Sequence, residues 1–308
     1  MKINTTTLHL EPTNSCTLKC SMCPRTLYGT RGGFHFQPDW FSNLSIDLFE
    51  RITLCGTFGE PTNYKYLFEL IDFINNSDKK PWITICSNGS SYSKEWWNNI
   101  AKTLPKDNHS IVFSLDGIGK SHERYRVNSK FDTVIRNAVS FIKSGGNAIW
   151  YMILFKHNEH EVELARKLSR DLGFISFVVR PSHSYNDKFE RPEKNIIKTR
   201  YELFPSNKGY SCRIHNGEIF INCYGNAIPC CYMTSTTVSR QIVGGPFLSV
   251  RKMKLKEILE SGYFNRILSR LDKVGACSFC KVDTHDIVGN TIAEVVKKQE
   301  QNNKGSII

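Results

Sequence analysis

Apolar segments of two kinds alternate along the first 180 residues, and this alternation constrains the fold more than any other feature of the sequence. Short β-branched or apolar runs indicate buried strands, and helical stripes, such as the one through residues 131–142, indicate helices packed on them. Six strands are predicted, at residues 6–11, 51–55, 82–86, 111–115, 148–155 and 174–179, with a helix after each except the last. Such alternation predicts an α/β fold with parallel strands and right-handed crossovers.

The same pattern predicts how the chain is divided. Six strand–helix units are too few for an eight-fold barrel, so a doubly wound sheet and a partial barrel both remain open on pattern alone. We predict a core domain at residues 1–180, a linker or substrate-covering loop at 181–211, a small cysteine-rich domain at 212–290, and a polar tail at 291–308. The linker is polar, contains three prolines and shows no periodicity.

Composition narrows the class of protein. The formal net charge is +12, but the lysines and arginines are scattered, so the charge does not by itself indicate a nucleic-acid partner. There is no apolar run long enough for a membrane span and no signal-peptide pattern at the N-terminus, so we expect a cytoplasmic protein with no membrane partner. Nine of the eleven cysteines are clustered, which in such a chain indicates metal or iron–sulfur ligation rather than disulfides.

The first cysteine group stands in the loop after the first predicted strand. Cys16, Cys20 and Cys23 form a C-x3-C-x2-C motif. A cubane cluster has four irons, so three cysteines leave one iron open to another ligand. A zinc site is the alternative, although His9 and His35 lack the spacing of a usual fourth ligand.

With this motif after its first strand, the chain resembles the radical S-adenosylmethionine superfamily over about residues 5–180. The resemblance implies a partial (β/α)6 parallel barrel, a catalytic [4Fe–4S] cluster with one open iron, and S-adenosylmethionine bound at that iron. It also implies that the reduced cluster cleaves this cofactor to methionine and a 5′-deoxyadenosyl radical, which takes a hydrogen atom from the substrate.

By the same resemblance, cofactor contacts fall on the cysteine loop and on the loops after the second, third and fourth strands. The segment 56–61 is similar to a glycine-rich motif whose backbone binds the methionine amino group, and only glycine lets backbone approach a ligand so closely. An arginine twelve residues after Ser114 suits the cofactor carboxylate, because its donors form a fork. The segment 87–89 after the third strand resembles one that lies near the ribose of the cofactor. The predicted cofactor-binding residues are Met22, Gly59, Glu60, Pro61, Ser87, Asn88, Ser114, Asp116 and Arg126.

The later cysteines resemble a SPASM/Twitch auxiliary-cluster domain. The resemblance implies one auxiliary [4Fe–4S] cluster ligated by Cys212, Cys230, Cys277 and Cys280, with Cys223 and Cys231 as spare thiols or replacement ligands. A zinc ribbon would use the same four-sulfur geometry and is the alternative. Four protein ligands would close this cluster to substrate, which favours an electron-transfer role.

Together these motifs predict a radical oxidoreductase that dehydrogenates or crosslinks a small molecule or a peptide, with flavodoxin or ferredoxin as its reductant. The chain starts almost directly at the first strand, which weakens the peptide alternative, since many peptide maturases carry an N-terminal leader-binding domain. Two other hypotheses stay open: a radical enzyme that modifies RNA, and a non-catalytic zinc and nucleic-acid-binding protein. The catalytic base is not assigned, although Glu11, Lys156 and Arg180 lie near strand ends.

Overall fold

The computed structural model describes residues 6–29, 32–182, 185–193, 217–228, 230–231 and 246–271. Six strands correspond to those predicted: β1 (Thr7–Leu10), β2 (Arg51–Leu54), β3 (Trp82–Ser87), β4 (His109–Ser114), β5 (Ala148–Leu154) and β6 (Ser176–Pro181). The helices between and beside them are α1 (Pro24–Leu27), α2 (Leu67–Asn75), α3 (Lys94–Thr103), α4 (Lys120–Tyr125), α5 (Phe131–Lys143) and α6 (Val162–Asp171). The predicted α/β fold with a parallel sheet is therefore confirmed.

Two further strands extend this sheet beyond the prediction. They are β7 (Glu218–Ile221) and β8 (Ala227–Ile228), and the strand order is β6-β5-β4-β3-β2-β1-β7-β8. β7 pairs with β1 in parallel, Thr7 opposite Glu218, whereas β8 pairs with β7 antiparallel. The sheet is open, with β6 and β8 at its two ends, as in a partial barrel. The domain division made from the sequence stays a prediction, but strands from both sides of the predicted linker share this one sheet.

The two faces of the sheet differ in character, because side chains alternate along each strand. One face carries the large apolar core, in which Leu8 and Leu10 pack with side chains from the helices. The opposite face carries polar and small side chains, such as His9 on β1, Cys86 on β3 and Tyr151 on β5. This second face, which we call the inner face, also carries a small cluster of buried apolar side chains from β4, β5 and β6.

The last two described helices, α7 (Leu255–Glu260) and α8 (Tyr263–Leu271), pack against the rest of the chain. Tyr263 Oη donates to Ala227 O at 2.9 Å, and Asn43 Nδ2 donates to Val250 O at 2.8 Å. The described residues after 217 thus form one body with the core. No helix within the described residues is long and apolar enough to cross a bilayer.

Candidate active site

The loops that follow β1 to β4 meet at the carboxyl edge of the sheet, where parallel α/β folds gather their active sites. The loop after β1 carries Cys16, Cys20 and Cys23 and is fastened by backbone hydrogen bonds on two sides. Glu60 N–H donates to Ser15 O at 2.8 Å, and Lys19 N–H donates to Val127 O at 3.0 Å. This cysteine loop is therefore held between the glycine-rich loop after β2 and the segment after α4.

Two glycines let the glycine-rich loop lie directly against its neighbours. A Cβ on Gly59 would lie 1.8 Å from Thr13 O, and one on Gly56 would lie 2.2 Å from Gly59 O. Both clashes are with backbone atoms, which cannot turn aside as a flexible side chain can. Any side chain at Gly59 would therefore push the glycine-rich loop away from the cysteine loop.

Glu60 joins the glycine-rich loop to the turn after β3. Its buried carboxylate accepts Asn88 N–H at 2.8 Å on Oε2 and the Thr62 hydroxyl at 2.9 Å on Oε1. Burial raises the pKa of Glu60, and the hydrogen bonds from Asn88, Ser87 and Thr62 act in the opposite direction. Because both oxygens are bonded within the protein, Glu60 and the following Pro61, which opens a turn at residues 61–63, shape the loop.

The turn after β3 brings the two predicted ribose-side residues next to the first cysteine. Ser87 Oγ accepts Gly89 N–H at 2.9 Å, and Asn88 Nδ2 donates to Cys16 Sγ at 3.7 Å. Gly89 has a φ of 65°, which suits glycine, and its absent Cβ would meet Phe113 and Val134 at 2.8 Å. The conformation of this turn is therefore closely defined.

Asp116 and Arg126 form a buried ion pair beside the cysteine loop. Arg126 Nε donates to Asp116 Oδ2 at 2.6 Å, and Ile153 N–H donates to Asp116 Oδ1 at 2.7 Å. Although burial disfavours the charged guanidinium, the Asp116 carboxylate and the Cys20 thiol raise the pKa of Arg126. One oxygen of Asp116 thus binds Arg126, and the other anchors the carboxylate to β5; the Arg126 guanidinium also hydrogen-bonds the Cys20 thiol. Ser114, the last residue of β4, stands two residues before this carboxylate.

The three thiols of the cysteine loop match the donor set of an iron–sulfur cluster. Burial raises the pKa of Cys16 to about 11, with Glu60 as the next cause. Burial also raises the pKa of Cys20, whereas the Arg126 guanidinium lowers it and the neighbouring Cys23 thiol raises it. In the described part of the chain, no three His, Cys, Asp or Glu side chains surround the position of a single ion. In a cubane each cysteine binds its own iron, so its thiols do not need to converge on one point.

Met22 lies against an aromatic group at the edge of the site. It packs, partly buried, on Tyr125, Phe155 and Phe189, whose rings are within 5.4 Å of each other, centroid to centroid. Phe189 comes from the segment after β6, which folds back over β5. Met22, the residue before the third cysteine, therefore packs in an apolar cluster at the edge of the site and not among its polar groups.

The three residues considered as bases have different environments. Glu11 is buried, accepts Phe58 N–H at 2.6 Å, and has a pKa that burial raises to about 7. Lys156 is exposed and pairs with Glu193 and Glu190 at 2.7 and 3.1 Å, and these hydrogen bonds raise its pKa. Arg180 is buried on the inner face beside Tyr151. Glu11 fastens the glycine-rich loop and Lys156 belongs to a surface ion-pair group, so neither has the setting of a free base.

The proposed auxiliary site is described only in part. Cys212, Cys277 and Cys280 lie outside the described residues. Cys230 is buried at 8% exposure, close to the end of β8, and Cys223 is buried beside Glu11. Cys231 hydrogen-bonds His9, which brings a thiol of the later cysteine region to the inner face next to β1. The assignment of the auxiliary ligands stays a prediction.

Sequence reasoning did not single out His122 and Ser129, which the structure brings to the core of the site. His122 Nδ1 accepts Asp116 N–H at 3.1 Å, and its Nε2 lies 2.8 Å from Ser129 Oγ. Burial lowers the pKa of His122 to about 4. The sequence offered one indication of their role, which is that both residues lie within a few positions of the predicted cofactor contact Arg126.

The Arg126 side chain offers a direct test of the predicted carboxylate contact. Arg126→Ala should weaken S-adenosylmethionine binding by about 1.5–3 kcal/mol, the scale of a hydrogen bond to a charged group. Arg126→Lys keeps the charge next to Asp116 but loses the fork, so it should fold well and still bind weakly. Equilibrium binding of S-adenosylmethionine to each reconstituted variant measures both effects.

The matched control for this test is Arg124→Ala, because Arg124 is exposed and its guanidinium donates to the Lys188 carbonyl at 3.1 Å. The affinity of the Arg124→Ala variant for S-adenosylmethionine should stay within about twofold of the wild-type value, because an exposed contact contributes little. If Arg126→Ala binds normally and Arg124→Ala does not, the carboxylate contact belongs to Arg124.

Two family models match this chain. The model described as the Radical SAM superfamily matches residues 10–168, and the model described as an iron–sulfur cluster-binding domain, SPASM, matches residues 212–281. No curated protein sequence matches the chain. The first model covers more than half of the 308 residues and contains all four loops of the site.

Several solved structures are similar in fold. SuiB of Streptococcus suis bound to S-adenosylmethionine is 16% identical with a TM-score of 0.62, over 85% of this chain and 66% of that one. anSMEcpe with bound AdoMet is 14% identical with a TM-score of 0.60, over 85% of this chain and 82% of that one. BtrN in complex with AdoMet and 2-DOIA is 13% identical with a TM-score of 0.53, over 91% of this chain and 93% of that one. At such identities the likeness extends to the fold alone.

Proposed function

The chain belongs to the Radical SAM superfamily and carries a SPASM domain, and we propose that it is an oxidoreductase that dehydrogenates or crosslinks a peptide or small molecule at an unactivated C–H bond. Its family assigns it a [4Fe–4S] cluster and S-adenosylmethionine, and the SPASM domain assigns it auxiliary iron–sulfur. A non-catalytic zinc protein, the third hypothesis from the sequence, is therefore wrong.

The observation that carries the proposal is the Asp116–Arg126 pair next to the cysteine loop. We assign Cys16, Cys20 and Cys23 to the catalytic cluster and the guanidinium of Arg126 to the cofactor carboxylate. When bound, cluster and cofactor together supply a 5′-deoxyadenosyl radical that takes hydrogen from the substrate. Asp116 holds the guanidinium in place, because its 2.6 Å contact leaves Arg126 little freedom to turn.

The inner face supplies the groups that a substrate would meet. Cys55 and Cys86 lie at the ends of β2 and β3, and Tyr151 and Arg180 lie across from them on β5 and β6. Burial raises the pKa of Tyr151 to about 12, even though the Arg180 guanidinium acts in the opposite direction. The phenol therefore keeps its proton at neutral pH and acts as a donor. The Tyr151 phenol and the charged Arg180 guanidinium thus offer hydrogen-bond donors that orient a substrate.

Ligands bound in the structures of the neighbours favour a peptide substrate over a small molecule. One SuiB structure contains the precursor peptide SuiA, and one anSMEcpe structure contains the Cp18Cys peptide. BtrN, whose structure contains 2-DOIA, represents the small-molecule alternative. All eight cysteines within the described residues are free thiols, which agrees with a reducing compartment such as the cytoplasm, where a flavodoxin or ferredoxin would supply the electron.

The proposal is tested by anaerobic incubation of the reconstituted protein with dithionite, S-adenosylmethionine and candidate substrates. We expect 5′-deoxyadenosine together with a product that has lost two hydrogen atoms, detected by mass spectrometry. A substrate deuterated at the reacting carbon should transfer deuterium to 5′-deoxyadenosine. If the cofactor is cleaved but only transfer RNA, and no peptide or small molecule, is changed in mass, the RNA-modifying alternative replaces this one.

A further inference from the structure

A buried histidine stands between the two sides of the proposed cofactor site. His122 lies on α4 and has no exposed surface. Asp116 N–H donates to its Nδ1 at 3.1 Å. A peptide N–H can only donate, so Nδ1 carries a lone pair and the proton of the neutral ring is on Nε2. The ring therefore presents one acceptor to the loop after β4 and one donor to its other side.

The donor side of His122 begins a chain of hydroxyl groups. Nε2 lies 2.8 Å from Ser129 Oγ, which lies 2.7 Å from Ser90 Oγ, and Ser90 Oγ donates to Asn88 O at 3.3 Å. Since Ser90 gives its proton to a carbonyl, it must accept from Ser129, and Ser129 must accept from His122. Every donor in the chain points the same way, from Asp116 N–H towards Asn88 O, and hydrogen bonds aligned in this manner strengthen one another.

The two ends of this chain are the residues proposed to hold opposite parts of the cofactor. Asp116 binds Arg126 Nε at 2.6 Å, which sets the guanidinium for the cofactor carboxylate. Asn88 donates its side-chain amide to Cys16 Sγ at 3.7 Å, and its N–H to Glu60 at 2.8 Å, on the proposed ribose side. The chain therefore links the loop after β4 to the turn after β3, to which Asn137 of α5 also donates, at Gly89 O, at 2.8 Å.

We propose that His122 is a positioning residue that keeps the carboxylate-binding Arg126 in register with the ribose-side turn at Asn88, through Asp116 at one ring nitrogen and Ser129 at the other. The inference rests on the proposed function in one respect: that function identifies S-adenosylmethionine as the ligand whose two ends Arg126 and Asn88 hold. An apolar ring of equal volume would fill the same space, but it would leave Asp116 N–H and Ser129 without their partner. The role of His122 is therefore separable from packing.

Three substitutions separate the contributions of the two hydrogen bonds that the His122 ring makes. His122→Phe removes both. His122→Asn keeps an acceptor near Nδ1 for Asp116 N–H and loses the donor to Ser129. His122→Gln keeps a donor near Nε2 for Ser129 and loses the acceptor. A displacement of about 1 Å at such a site can cost about 100-fold in rate, so His122→Phe should lose cofactor cleavage on that order.

His109→Phe is the matched control. His109 is also fully buried, and it also accepts a peptide N–H, from Asn147 at 3.1 Å, while its other nitrogen lies 2.6 Å from Pro105 O. It begins β4, at the opposite end of the strand from Asp116. The two variants remove the same kind of buried ring and the same two bonds, one at the site and one away from it.

The experiment measures S-adenosylmethionine affinity, the electron paramagnetic resonance signal of the reduced cluster with and without that cofactor, and amide hydrogen exchange at Asp116, all on reconstituted protein. We expect His122→Phe to weaken binding about tenfold, to reduce the cofactor-induced change of the signal, and to speed exchange at Asp116. His122→Asn should restore slow exchange, and His122→Gln should not. His109→Phe should leave affinity and signal unchanged whatever its melting temperature.

Wild-type affinity and signal in His122→Phe would overturn the inference, as would equal losses in His122→Phe and His109→Phe. Failure of the proposed function has a different signature, because the wild-type protein itself would then bind the cofactor without cleaving it or without changing any substrate. If His122→Phe does not fold, affinity and exchange in His122→Asn and His122→Gln decide: the inference is wrong if both bind like the wild type.

Discussion

Replacing Cys16, Cys20 and Cys23 together by alanine should abolish cleavage of S-adenosylmethionine while the iron of the auxiliary site is retained. Two [4Fe–4S] clusters correspond to about eight irons per chain, and the triple variant should keep about four. The loss follows because the three thiols are the only protein ligands assigned to the catalytic cluster. Iron analysis and quantification of 5′-deoxyadenosine under reducing, anaerobic conditions measure the two effects.

The fold of the triple variant should survive, because the cysteine loop is held mainly by backbone. Lys19 N–H binds Val127 O, and Thr26 N–H and Leu27 N–H bind Cys23 O at 2.9 Å, none of which requires a thiol. Ser21→Ala is the control, because it changes the same motif and keeps all three thiols. If the triple variant still produces 5′-deoxyadenosine, the catalytic cluster has been assigned to the wrong cysteines.

Replacing Cys277 and Cys280 by alanine should have the complementary effect: the cofactor is still cleaved, but the oxidised or crosslinked product is lost. A cluster with four protein ligands has no open iron, so its expected work is to accept the second electron from the substrate radical. Deuterium from the reacting carbon should therefore still reach 5′-deoxyadenosine in this variant. Product mass, deuterium transfer and cofactor cleavage are measured in the same reactions.

The control for the second variant must separate electron transfer from folding, since loss of a metal site can unfold a small domain. Ser278→Ala changes the same motif and keeps both thiols, so it should behave as the wild type. Circular dichroism and the remaining iron content establish that the double variant is folded. Full product formation by a folded variant without the auxiliary cluster would show that the SPASM domain serves as scaffold or docking element.

Strand positions and the loops of the site could be predicted from the sequence because both depend on local pattern. The six predicted strands lie within a residue or two of β1 to β6 in most cases, and the four motifs follow β1 to β4 as expected. β7 could not be predicted, because its partner is distant along the chain: His9 and Glu218, which bond at 3.0 Å, are 209 residues apart.

The hydrogen-bond chain through His122 could not be predicted for a different reason. Serine and histidine at positions 90, 122 and 129 carry no periodic or motif signal, and their donor directions depend on three loops meeting in space. Glu11 and Lys156 illustrate the same limit, because a sequence places a charged group near a strand end but not its partners. Only the structure assigns Glu11 to Phe58 N–H and Lys156 to two surface carboxylates.

The parallel pairing of β7 with β1 has a consequence for how the protein is made. β1 is synthesised long before residues 218–221, which pair with one of its edges, and an unpaired strand edge is a site of aggregation. Such a distant pairing also closes slowly, because a long loop must form first. The strand that leads into the cysteine loop therefore gains its β7 neighbour only after the segment that carries β7 has been synthesised and this pairing has closed.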